Sequence, residues 1–313
     1  MPVAHIYIFS DACPTDWLID GHDDDWHTIV NLVFQTDPAL QVLVAQGQSH
    51  ETVLPQDAKY TNLISDLQAH LPSGLLRKWS TGPGYRDRFC KGFVATHAKH
   101  RPIISACSFQ ERILRDSKDA LLNSYNRLIG GTEGRGIGFA EHVDGKGRRQ
   151  MKHSFVNFHG HNEIKAPVNQ MLVLLLMSWF VADQFVFFAN DIVQKGRHGF
   201  DGLSVTIVSD KLSGDDDFRA KSEANLRNLI DPENVAVPIV LTRSRLSDTF
   251  SGDLLVDNLA GWLTSVMNDG AGKFADYARS IAQSGLWDGW RRLVLSRTAL
   301  EAVPVMPVMP NDA

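Results

Sequence analysis

The sequence predicts an α/β fold, a mixed sheet flanked by helices. Three observations carry this expectation. Short β-rich runs at 4–10, 28–34, 203–209 and 237–242 are of strand length. Longer stretches at 56–71 and 250–268 instead repeat their apolar residues at helical spacing. The 313 residues are 43% hydrophobic and 21% charged, a composition that buries a large core.

Taken in order, AHIYIFS opens the chain as a strand that ends at Asp11, and DACPTDW then breaks it. The acidic run 20–25 reads as a solvated loop. Strands are expected at 28–34 and again at 40–45, with Asp37-Pro38 turning between them. Tyr60, Leu63, Ile64, Leu67 and Leu71 mark an amphipathic helix over 56–71. The Gly- and Pro-rich stretch 72–84 reads as a loop, 85–97 as a helix, IISACSF as a short strand and 110–128 as a helix. Residues 131–162 read as a loop or hairpin with a short strand at 154–158. Pro167 opens an apolar helix, a position where its missing N–H costs nothing. Helices are further expected at 216–230, 250–268 and 272–285. No Gly/Ser linker or internal repeat divides the chain. The expectation is one domain over 1–301, with a helical insertion at about 56–150 after the early strands, and a Pro-rich extended tail at 302–313.

A formal net charge of −5 argues against a simple DNA-binding module, which would carry a positive field. It does not argue against a nuclease, whose acidic metal site lowers the net charge. Cys13, Cys90 and Cys107 are too few and too far apart for a disulfide framework or a zinc motif, and predict reduced thiols. With no signal-type leader, the expected location is cytoplasmic. The apolar segment 171–189 is long enough to cross a bilayer, but Asp183 and Gln184 interrupt it, so it is expected as a buried helix and not as a membrane span.

Four carboxylates occupy telling places. Asp11 and Asp210 each end an apolar strand, where side chains emerge at the sheet edge that binds substrates in open α/β folds. Asp257 is embedded in the helix LLVDNLAGWL, on the side it shares with Asp253 and Gly261, and Gly261 admits close approach of a neighbouring backbone. Glu163 stands at or just before the start of the apolar helix, where Lys165 is near enough to hold a phosphate. Hydrolysis of a phosphodiester needs an attacking water and a stabilised leaving oxygen. Two Mg²⁺ or Mn²⁺ ions about 4 Å apart supply both. Such hard cations take carboxylate oxygens from several elements. Each residue also has a plainer assignment: turn residues for Asp11 and Asp210, a salt-bridge partner for Asp257, and a first-turn helix residue for Glu163.

The segments IYIFSDAC, NEIKAP, VTIVSDKLS and SGDLLVDNLAGWL, in this order and spacing, resemble the bacterial family named domain of unknown function 3800. They match its opening strand with Asp, its Glu-x-Lys-like segment, its middle strand with Asp and its closing helix. The chain departs from the family where Glu-Ser-Gly-like residues usually follow the first Asp, since Ala12, Cys13 and Pro14 stand there instead. The resemblance implies a ribonuclease H-like fold and a metal-dependent nuclease, with Asp11, Glu163, Asp210 and Asp257 as catalytic metal ligands.

The basic run Lys146, Arg148, Arg149, Lys152 and His153 precedes Glu163 directly and is the candidate grip on a phosphate backbone; its plainer assignment is a solvated loop. His159 and His161 lack matched third and fourth zinc ligands. TEGRGIG lacks the preceding strand of a dinucleotide fingerprint, and GDDD at 214–217 reads as a solvated cluster. The expected substrate and partner is nucleic acid. Two rival functions stay open: a catalytically silent interaction protein that uses the helical insertion or the Pro-rich tail, and a hydrolase of small phosphorylated molecules.

Overall fold

The computed structural model describes residues 3–13, 26–110, 112, 136–143, 149–157, 160–162, 202–209, 239–269, 272–283 and 290–294. Alternation of β-branched and aromatic residues drives the first strands, β1 (Val3–Cys13) and β2 (Trp26–Gln35). They form an antiparallel pair, with Asp11 opposite Val30 and Cys13 opposite Thr28. Strand β3 (Ile103–Gln110) extends the meander antiparallel to β2. On the other side of β1 lie β7 (Gly202–Ser209) and β8 (Ile239–Arg245), each parallel to its neighbour. Strand β9 (Trp290–Val294) runs parallel to β3, giving the order β8-β7-β1-β2-β3-β9. The chain is therefore α/β with a mixed six-stranded sheet. A second, antiparallel sheet consists of β4 (Gly136–Val143), β5 (Arg149–Asn157) and β6 (Gly160–Asn162).

The helices of the described residues are α1 (Gln41–Ala45), α2 (His50–Val53), α3 (Ala58–Ala69), α4 (Pro83–His100), α5 (Ser251–Asp269) and α6 (Lys273–Gln283). Helix α5 lies on β1 and β2, and α4 packs on α3 and α6. Tyr7, Phe9, Val30, Leu32, Ile104 and Val208 point from the sheet into the core against Leu255, Leu259 and Trp262 of α5 and Phe89 and Phe93 of α4. Each such large side chain contributes about 2–3 kcal/mol on burial. The opposite parity, with Ile6, Ile8, Ile29, Cys107, Phe109 and Ile207, is buried as well, so the sheet is covered on both faces. Asp57 starts α3 by accepting the N–H groups of Lys59 and Tyr60 from its own helix and of Asp37 from the preceding turn.

Three expectations need correction. Residues 41–45 are helical, not a strand: Leu40, Leu43 and Val44 pack at helical spacing while Val42 is exposed, and a short apolar run does not fix its own period. The stretch taken as an insertion at 56–150 contributes β3 to the main sheet, so helices α1–α4 enter between β2 and β3 rather than after a finished group of strands. Within 131–162 the described residues form the hairpin of the two expected alternatives, β4 with β5, and add a third strand, β6, while the short strand expected at 154–158 is part of the longer β5. The expected helices at 167–182 and 216–230, the tail 302–313 and nearly all of the expected helix 110–128 lie outside the described residues. Among the described residues no helix is long and apolar enough to cross a membrane; the segment 171–189 is outside them.

Candidate functional site

Asp11 shares the parity of Tyr7 and Phe9, so β1 directs it to the side covered by α5. It is buried, 7% exposed, and its Oδ1 accepts the N–H of Ala12 at 2.8 Å. Two residues on, Cys13 is half-buried, and Thr264 of α5 donates its hydroxyl to the Cys13 carbonyl at 3.0 Å. Asn268, one turn later, accepts the N–H of Trp26 at 2.8 Å. The C-terminal half of α5 is thus pinned over the end of β1 and the start of β2.

Asp257 lies one helical turn before Gly261 on α5. Its Oδ2 accepts the N–H of Trp79 at 2.8 Å. The Trp79 indole lies flush on Gly261, where an added Cβ would come within 2.2 Å of the ring. Gly261 does admit a close neighbour, but that neighbour is an indole, not a backbone. Asn258 strengthens the clamp by donating to the carbonyl of Arg77 at 2.6 Å. Tyr85 closes it, accepting from the Arg77 N–H at 2.9 Å and donating to the Arg77 carbonyl at 2.8 Å. Arg86 donates from Nε to the Trp79 carbonyl at 2.7 Å and stacks its guanidinium 5.0 Å above the indole centroid.

The charges of Asp11, Asp257 and Arg86 all bear on Cys13. Burial pushes its thiol up to about 11, and the negative charge of Asp11 raises it next; the Thr264 hydroxyl lowers it, Asp257 raises it further and Arg86 opposes them. Asp11 and Asp257, 246 residues apart in sequence, therefore both act on one half-buried thiol, and the positive charge of Arg86 acts on it in the opposite sense.

The parallel register of β1 and β7 ends on the pair Ser10 and Ser209. Asp11 follows the first and Asp210 follows the second in sequence. Asp210 itself lies outside the described residues, as do Glu163, Lys165, Lys146 and Arg148. Arg149 and Lys152 fall on β5, opposite Val143 and Ala140. Of the four expected carboxylates, Asp11 and Asp257 fall within the described residues, and the charge of each bears on the Cys13 thiol.

Sequence reasoning missed Arg86 and Trp79, which fall in a stretch read only as loop and helix. It also missed a second cluster, His50, Glu51 and Asp253, whose ligating atoms lie within 4.8 Å of one another. The only sequence signal for either was an unassigned aromatic or histidine, because partners some 180–200 residues apart leave no spacing to read.

Comparison with family models, with curated proteins and with solved structures found no match for this chain.

Proposed function

We propose that the chain is a metal-dependent phosphodiester hydrolase of ribonuclease H-like architecture that acts on nucleic acid. The observation that carries this reading is that Asp11, at the C-terminal end of β1, and Asp257 of α5 both bring their negative charge to bear on Cys13. The strand order supports the architecture: an antiparallel β1-β2-β3 meander with β7 and then β8 added in parallel beside β1. The resemblance of the four acidic segments to domain of unknown function 3800 points the same way.

The donor set suits Mg²⁺ or Mn²⁺. Asp11 is buried and Asp257 half-buried, and a hard divalent cation would offset the cost of keeping such carboxylates charged through oxygen ligation. Asp11 and Asp257 would hold the ion, with Asp210 and Glu163 completing the set. Bound there, the metal would polarise a phosphoryl oxygen and lower the pKa of a water. One oxygen of each described carboxylate takes a backbone N–H, which fixes its orientation. Arg86 contributes a guanidinium of the sign that holds a phosphate oxygen. Arg149, Lys152, Lys146, Arg148 and Lys165 are the proposed contacts to the nucleic-acid backbone.

One observation favours the catalytically silent alternative: Asp257 holds the Trp79 N–H, a purely structural task. Cleavage assays on single- and double-stranded DNA and RNA with Mg²⁺ or Mn²⁺ separate the two. Cleavage by the wild type that is lost in folded Asp11→Asn and Asp257→Asn supports the hydrolase. No cleavage of any substrate supports the silent alternative, and cleavage unchanged in both variants contradicts the assignment of Asp11 and Asp257 as its metal ligands.

A further inference from the structure

We propose that His50, Glu51 and Asp253 form a second metal site, for a zinc-type divalent transition-metal cation, separate from the Asp11 and Asp257 site. His50 and Glu51 open α2, and Asp253 lies in the first turn of α5, so the site joins segments about 200 residues apart in sequence. The ligating atoms of the three lie within 4.8 Å of one another. His50 Nε2 is 3.5 Å from Asp253 Oδ2. Ligands bound at about 2.0–2.1 Å in a tetrahedron stand about 3.4 Å apart, so this separation matches a shared tetrahedral ion.

Asp253 supplies the independent observation. It is 3% exposed, and its Oδ1 has no hydrogen-bond partner among the described residues. Its Oδ2 takes the N–H of Ser247 at 2.5 Å and faces His50. Oδ1 is thus left a buried acceptor without a donor, which an ion ligated by both oxygens of the carboxylate would satisfy. A cation beside the carboxylate offsets the cost of burying it. Phe9 and Phe250 meet the His50 ring edge-on, with centroids 5.7 and 5.1 Å away, which fixes the imidazole orientation as a ligand requires. Glu51 is exposed and gives the ion its way in. One imidazole and two carboxylates, with a fourth position for water, is a zinc-type donor set; the nitrogen ligand disfavours Mg²⁺ and Ca²⁺.

The test is a titration of the full chain with Co²⁺, read as visible absorption, followed by displacement with Zn²⁺. The site predicts one equivalent with the intense bands of tetrahedral cobalt, bleached by Zn²⁺. Glu51→Gln, an exposed substitution that leaves the core untouched, should weaken binding at least about tenfold, and His50→Ala should abolish it. Asp11→Asn with Asp257→Asn should leave it unchanged, so failure of this site and failure of the hydrolase reading give different patterns. Absence of tetrahedral bands in the wild type overturns the proposal. So does a Glu51→Gln variant that binds as the wild type does, or binding lost only in the Asp11 and Asp257 variant.

Discussion

The Asp257 carboxylate holds the backbone N–H of Trp79 at 2.8 Å, which ties α5 to the turn that precedes α4. The same side chain adds its charge to that of Asp11 at Cys13. Anchoring and charge are separable. Asp257→Asn keeps an oxygen for the Trp79 N–H and should lower stability by less than about 1 kcal/mol. Asp257→Ala strands that donor and should cost about 1–3 kcal/mol. Urea midpoints measure both. If the charge serves metal-assisted cleavage, the Asn variant should lose about 10²-fold or more in rate despite its intact fold.

Gly261→Ala should destabilise the protein by about 1–3 kcal/mol, because the new Cβ would meet the indole at 2.2–2.3 Å. The same change in a Trp79→Ala background should be neutral or stabilising, since alanine outranks glycine in a helix by about 1 kcal/mol. A double-mutant cycle by chemical denaturation measures the coupling.

Stability should fall with acid between about pH 6.5 and pH 4. Burial lowers His5 and His97 to about 4, so in this window the unfolded chain binds protons that the folded one refuses. Stability is thus full above pH 6.5 and is lost as pH falls towards 4, by on the order of 3 kcal/mol for each histidine. His5→Gln or His97→Gln should flatten the dependence of the urea midpoint on pH. An equal slope in both variants would show that other groups carry the acid sensitivity.

Cys13 should react slowly with iodoacetamide at pH 8, since its thiol is pushed up to about 11. Removing one neighbouring negative charge, by Asp11→Asn or Asp257→Asn, should raise the alkylation rate. Because both carboxylates act on this one thiol, an accelerated rate in both variants, read by mass spectrometry, reports their convergence without any substrate.

The strands and the long helices were legible because their periods are local: alternation wrote β1 and β2, and Tyr60, Leu63, Ile64 and Leu67 wrote α3. Residues 41–45 were not, since five apolar-rich residues suit either period and packing of Leu43 and Val44 decided it. Asp11 was legible as a strand-end carboxylate and Asp257 as an acid inside an apolar helix. What the sequence withheld was their shared neighbourhood, along with the seating of Trp79 on Gly261 and the approach of His50 to Asp253. Each of these joins residues about 180–250 positions apart, set by the stacking of helices on the sheet and not by any spacing along the chain.

Calorimetric titration with Mg²⁺, in the presence of an uncleavable phosphorothioate oligonucleotide, tests the central claim most directly. Mg²⁺ favours all-oxygen ligation, so it reports the Asp11 and Asp257 site over the imidazole site. The account predicts saturable Mg²⁺ binding by the wild type that disappears in a folded Asp11→Asn, Asp257→Asn variant. Equal binding by that variant, or no binding by the wild type, would contradict it.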